Sequence, residues 1–162
     1  MIVYANPWFR VRKEDGFHFV EETTGTAGAA VLTIVGHDLV LLDMTRVSQG
    51  DRTLEIPRGY AQPGESRTQC AARELREETG FAVDPARLAL LGHVRPNTGI
   101  LRSRIPVYLA RLPAGTSQGQ RDHEARRLVF IPMAEIAVAI RDGLIEDGFL
   151  LSALALFSAA EG

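Results

Sequence analysis

The stretch GYAQPGESRTQCAARELREETGF, residues 59–81, places Glu74, Glu77 and Glu78 within one helical turn. Each helical residue turns about 100°, so Glu74 and Glu78 are offset by about 40°, and Glu77 lies about 60° to the other side of Glu74. The three carboxylates therefore share one face, while Leu75, Ala71 and Ala72 fall elsewhere and can pack inward. Like charges at these spacings destabilise a helix by roughly 0.2–0.5 kcal/mol per pair, and folding alone recovers none of it. A solvated helix with an Arg73–Glu77 pair one turn apart is one explanation. The preceding loop favours another. Gly59, Pro63 and Gly64 interrupt regular structure, and the turn ending in Gly64 and Glu65 carries a fourth carboxylate toward the same helix. Oxygen-rich clusters at a loop–helix corner suit hard divalent cations, magnesium above all.

Working outward, Ser66 or Thr68 can cap this helix and Gly80 supplies a stop signal. Upstream, residues 17–22 (FHFVEE) alternate as a half-buried strand does. Residues 27–35 and 39–42 read as two strands joined by the Gly36-His37-Asp38 turn, which predicts an antiparallel pair. A turn at residues 49–51 precedes a short run at 53–56, and residues 58–65 read as loop. Downstream, residues 88–94, 105–112 and 127–131 are strands, and residues 114–120 (AGTSQGQ) form a polar loop. Residues 133–141, opened by Pro132, and about 146–160 are helices. Strands come in runs with few helices set apart, so the class is α+β with a mixed sheet, and 162 residues suffice for one domain, 1–162.

The formal net charge of -2 leaves no electrostatic footprint for nucleic acid. Cys70, the single cysteine, cannot form an internal disulfide, which fits a reducing cytoplasm. The N-terminus lacks a signal peptide's apolar core, and the apolar stretch FLLSALALFSAA is too short to span a bilayer. His93 and His123 have no metal-ligand spacing with each other or with Cys70, so zinc is not indicated, and Cys70 reads as a packing residue.

Residues 59–81 resemble the Nudix box, GX5EX7REUXEEXGU with U apolar: Gly59, Glu65, Arg73, Glu74, Leu75, Glu77, Glu78, Gly80 and Phe81 meet every specified position. The resemblance implies a Nudix fold, an α/β/α sandwich around a mixed sheet, and hydrolysis of a nucleoside diphosphate linked to another moiety. It implies Mg²⁺, or Mn²⁺, held by Glu74, Glu77 and Glu78 with Glu65 nearby and the main-chain carbonyl of Arg58 as a further ligand. Arg73 would orient the carboxylates, and Glu77 and Glu78 would serve catalysis.

Outside the box the chain is similar to the ADP-ribose pyrophosphatase branch of that family. The similarity is carried by VYANPWFRVR, VLLDMTR, LEIPRG, RPNTGILRSRIPVYLA and the C-terminal FIPMAEIAVAIRDGLIEDGFLLSALAL. That branch implies ADP-ribose as substrate, Pro96 as a marker of specificity with Gly99 beside it, and a homodimer in which N-terminal segments, here residues 1–25, help build the site. It also implies an acidic catalytic loop, here QRDHEARR, where Asp122 and Glu124 are the candidates and Glu124 is preferred. The competing reading pairs Glu124 with Arg121, Arg126 or Arg127 on the surface. Arg46 is a candidate for the substrate diphosphate, because guanidinium binds phosphate oxygens bidentately; the alternative is an exposed loop arginine. Pro96 and Gly99 also read as an ordinary turn, and Trp8 and Phe9 either stack on a base or anchor a strand. A nucleoside triphosphate or dinucleoside polyphosphate substrate is the alternative within the family, and a non-catalytic nucleotide sensor is the alternative outside enzymes.

Overall fold

The computed structural model describes residues 1–22 and 28–162. The strand expected from residue 27 begins within the described part at Ala29, and Ala27 lies outside it, as do residues 23–25 of the N-terminal segment. Strands β1 (Ile2–Ala5), β2 (Phe9–Glu14) and β3 (Phe17–Glu22) form an antiparallel three-stranded sheet. The main sheet contains β4 (Ala29–Val35), β5 (Asp38–Arg46), β6 (Asp51–Glu55), β7 (Arg58–Gly59), β8 (Ala89–Val94), β9 (Ile105–Leu112) and β10 (Arg127–Pro132). Its order is β10-β5-β4-β9-β8, with β6 paired to β5 and β7 to β4. Only β4 and β9 run parallel, so the sheet is mixed, as expected.

Alternation along β4 divides the core into two layers. Ala29 and Val31 face Ala71, Ala72, Leu75 and Cys70 of helix α1 (Arg67–Thr79). Ala30, Leu32 and Ile34 face the opposite layer, built on α2 (Ile136–Arg141) and α3 (Gly148–Glu161). Helices thus cover both faces, giving the α/β/α sandwich and α+β class anticipated from the sequence.

Helix α1 is fixed at both ends. The Ser66 hydroxyl accepts from the Gln69 N–H at 3.2 Å and the Gln69 side chain accepts from the Ser66 N–H at 2.8 Å, a reciprocal capping box. Ser66, rather than Thr68, is therefore the cap. Gly80 closes the helix at φ +77°, a left-handed conformation that glycine adopts without Cβ strain.

Several details differ from expectation. Strand β5 continues past Leu42 to Arg46, because β6 pairs along Leu42–Arg46 and arginines neutralise the polar Asp43. Within the expected loop 58–65, Arg58 and Gly59 form the short strand β7 against Ala29 and Ala30. The helix expected over residues 133–141 opens as a 3₁₀ turn, Met133–Glu135, before α2, with the Met133 N–H spent on the His37 carbonyl at 2.9 Å. Trp8 is 70% exposed and anchors no core, while Phe9 touches Tyr4 with ring centroids 5.9 Å apart.

Candidate active site

The acidic helix and the loop before it meet at one wall of a cleft of about 670 Å³. The box glycine explains the closeness of the contact: a Cβ at Gly59 would overlap the Glu74 carboxyl group. Gly28 stands under the same demand, since a Cβ there would overlap the Gly59 carbonyl. Two glycines thus let β4, β7 and α1 approach one another and bring the Glu74 carboxylate against backbone.

Arg73 organises the carboxylates of the box. Its guanidinium donates to Glu65 at 2.9 and 3.0 Å, to Glu74 at 2.7 Å, to Glu77 at 2.9 Å and to the Tyr60 carbonyl at 2.8 Å. The i, i+4 pair with Glu77 forms, but as one arm of a network that also pins the loop carrying Glu65. The Arg73 hydrogen bond holds Glu65 below the usual carboxylate range. Glu65 and Glu77 therefore face this arginine, and neither lines the cleft.

Glu74 and Glu78 do line the cleft, and both are buried. Burial raises the Glu74 carboxyl group above its ordinary value despite Arg73. Glu78 is pushed up to about 8, first by burial and then by the neighbouring Glu74 charge. Its hydrogen bond from protein comes from the Arg58 N–H, 3.1 Å away; no guanidinium or ammonium among the described residues pairs with it.

The cleft is also lined by arginines that are already engaged. Buried Glu55 accepts from Arg46 at 2.9 and 2.7 Å and pairs with Arg58 at 2.8 Å. Burial pushes the Glu55 carboxyl upward, yet the hydrogen bonds from Arg46 and Thr53 and the Arg58 charge hold it below its ordinary value. Arg58 also lies 4.7 Å over the Phe149 ring and 3.4 Å from Asp147. Arg46 thus sits at the end of β5 with a built partner, not free in a loop.

Glu124 also lines the cleft and meets Arg46 at 3.5 Å, rather than Arg121, Arg126 or Arg127. Arg121 donates instead to main-chain carbonyls, and Arg127 to Asp43. The loop bearing Glu124 is tied to α1: the Gly119 N–H donates to the Gly80 carbonyl at 2.8 Å and the Asp122 N–H to the Glu77 carbonyl at 2.7 Å. Pro96 lines the cleft; Gly99 does not, and its N–H closes a turn on the Asn97 side chain at 3.1 Å. Glu55, Asp147, Phe149 and Tyr60 were missed by sequence reasoning. Glu55 stands within the quoted LEIPRG, where an acidic residue between the apolar Leu54 and Ile56 is the available signal. Cys70 is buried, and burial raises its thiol to about 11, so it packs rather than attacks.

Whether a divalent cation fits can be judged from the donors. Among the described residues no three acidic, histidine or cysteine side chains converge on one point, because Arg73 draws Glu65 and Glu77 aside. Along the cleft, however, Glu22, Glu74, Glu78 and Glu124 outnumber Arg46 and Arg58. Glu74 and Glu78 are hard oxygen donors whose charge the protein leaves undercompensated, the chemistry that a magnesium-type ion satisfies.

Comparison with known proteins gives a consistent outcome. The NUDIX domain profile matches residues 24–150. A solved structure described as an ADP compounds hydrolase superposes with a TM-score of 0.76 over 98% of this chain and 89% of its own, at 23% identity, which establishes a shared fold. Over 55 residues the chain is 42% identical to the NAD-capped RNA hydrolase NudC of Stutzerimonas stutzeri (strain A1501); the match covers 34% of this chain and only 19% of that protein. With its box complete and the profile matched across most of its length, the chain belongs to the Nudix family.

Proposed function

We propose that the protein is a Mg²⁺-dependent pyrophosphatase, with Mn²⁺ as a substitute, that cleaves a nucleoside diphosphate linked to another moiety. ADP-ribose is the leading substrate, with water adding across the diphosphate to give AMP and ribose 5-phosphate. The observation that carries this reading is the buried pair Glu74 and Glu78, the first sharing Arg73 with two other carboxylates and the second with no cationic partner among the described residues, on the wall of a cleft sized for a nucleotide. A diphosphate is anionic, so it enters a cleft richer in carboxylates than guanidiniums only with added positive charge.

Glu74 and Glu78, with the Arg58 main chain beside them, would hold the ion, and Glu77 and Glu65 stand next to it through Arg73. A bound divalent cation supplies polarisation of phosphoryl oxygens and acidification of water. Glu124 faces the same space from a tethered loop and is the candidate base for water, its carboxylate held near Arg46. Arg46 and Arg58 present cationic edges to phosphate oxygens while Glu55 fixes their orientation. Pro96 shapes the cleft wall, and Gly99 acts only through the turn that follows it.

The similarity to NudC favours a dinucleotide-type diphosphate as a second reading. A panel of ADP-ribose, NADH, nucleoside triphosphates and dinucleoside polyphosphates, each with Mg²⁺, separates the two. Fastest turnover of ADP-ribose supports the first reading, and failure to turn over any of them contradicts both. We also infer a homodimer in the cytoplasm. The exposed Ile2, Val3 and Tyr4 of the N-terminal sheet, with Trp8 in the connection that follows them, offer an apolar surface for a second copy. A monomeric peak on a sizing column would contradict the dimer. No helix among the described residues is long and apolar enough to cross a membrane.

A further inference from the structure

A group of arginines beside the cleft has no part in the chemistry above. A second cavity of about 300 Å³ is lined by Arg10, Arg67, Arg102 and Arg104, with Glu21, Glu22 and Ser103 completing it. Glu22 and Ser103 line the main cleft as well, so the two spaces adjoin across a shared wall. The Ser103 hydroxyl donates to Glu22 at 3.0 Å, which fixes that wall.

The charges do not balance. Four guanidiniums face two carboxylates, and Glu21 already serves Arg10 at 2.7 Å, Arg102 at 3.1 Å and Arg12 at 3.5 Å. Arg67 donates to the Gly28 carbonyl at 3.4 Å and has no carboxylate partner among the described residues. Arg104 likewise has no ion-pair partner among them. The positive field reaches neighbouring groups: after burial, Arg104 and Arg67 are what lower the pKa of His93. A surface with acid excess thus passes directly into one with guanidinium excess. Guanidinium forks recognise phosphate oxygens bidentately, and clustered arginines of this kind are suited to a phosphate dianion.

We propose that this arginine cavity receives a second phosphate of the substrate, remote from the diphosphate that is cleaved. The preferred substrate is then a nucleoside diphosphate derivative whose ribose carries a phosphorylated hydroxyl. The inference rests on the cleft being the substrate site, and binding and turnover separate the two ideas. Calorimetric titration of the whole protein with AMP, adenosine 2′,5′-bisphosphate and adenosine 3′,5′-bisphosphate requires no catalysis. One bisphosphate is expected to bind about tenfold more tightly than AMP, with the advantage shrinking as salt rises. In Arg104→Gln the advantage falls toward one, and Arg67→Gln combined with it abolishes the remainder. Arg104 holds no hydrogen-bond or ion-pair partner among the described residues, so its replacement is expected to leave the melting temperature unchanged, which a thermal melt checks. Equal affinity, or none, for the three nucleotides overturns the proposal, as does a full advantage in the double variant. A changed elution volume for Arg104→Glu marks a protein contact and overturns it too. If ADP-ribose is not hydrolysed while the bisphosphate advantage holds, the pyrophosphatase reading fails and the subsite stands. If ADP-ribose is hydrolysed without that advantage, only the subsite fails.

Discussion

Asp43 and Glu78 are both buried carboxylates near the ends of regular elements, and the protein treats them in opposite ways. Asp43, 1% exposed on β5, is met by Arg52 and by Arg127 at 3.0 Å. The Arg52 hydrogen bond, with that of Arg127, holds it below its ordinary value in spite of burial. Glu78, 6% exposed on α1, has one backbone N–H and a like-charged neighbour, and burial drives it up. Asp43 lies within the main sheet, and Glu78 lies on the helix packed against that sheet. One is a solved electrostatic problem that ties β5 to β6 and β10; the other is left open on the wall of a cleft. An uncompensated charge persists where function uses it, because stability is surrendered there for a binding site.

The sharpest way to break this comparison is to remove each charge. Glu78→Gln is expected to lower turnover of the best substrate by about 10²–10³-fold, measured as kcat at saturating Mg²⁺. In metal-free buffer at neutral pH the same variant should melt a few degrees higher than the parent, because the cost of burying an ionisable carboxyl group beside Glu74 is gone. Unchanged turnover would place Glu78 with Asp43 as a structural residue.

The next largest effect tests how the open site is held. Gly59→Ala pushes a Cβ into the Glu74 carboxyl group. It is expected to cost about 10–100-fold in activity, the scale seen when supporting contacts around a metal site are lost. Full activity in this variant would mean that the contact between β7 and α1 is not what positions Glu74.

Asp43→Asn gives the smallest effect and the opposite sign in stability. It leaves two partly exposed arginines without their carboxylate and should lower the melting temperature by a few degrees, with turnover intact. Because the folded-state pKa of Asp43 is depressed, its stabilisation is fully present above the ordinary carboxyl value of 3.8 and is lost as pH falls. The gap in melting temperature between parent and Asp43→Asn should therefore narrow in acid; a gap that widens would contradict the ion-pair account.

The same contrast shows what could be read from the sequence. The box was legible because its geometry is local: helical periodicity alone puts Glu74, Glu77 and Glu78 together, and Ser66 and Gly80 mark the ends. Its detailed division of labour was not. That Arg73 would turn Glu65 and Glu77 away from the cleft, while Glu74 lines it in spite of its own bond to Arg73, depends on packing of a loop that periodicity does not encode. Strand β9 matched its expected span because its inward face is continuously apolar. Strands β1 and β2 were not anticipated as strands: β1 is exposed throughout, so no alternation marks it. Asp147 and Phe149 come to Arg58 from a distant segment, and such long-range pairings leave no trace in spacing.

Titration of Mn²⁺ into the metal-free protein, followed by calorimetry and repeated on Glu78→Gln and Asp43→Asn, tests the central claim most directly. The account predicts saturable binding in the parent, unchanged binding in Asp43→Asn, and binding weakened at least about tenfold, or lost, in Glu78→Gln. Equal Mn²⁺ affinity in the parent and Glu78→Gln, or no binding to the parent at all, would contradict it.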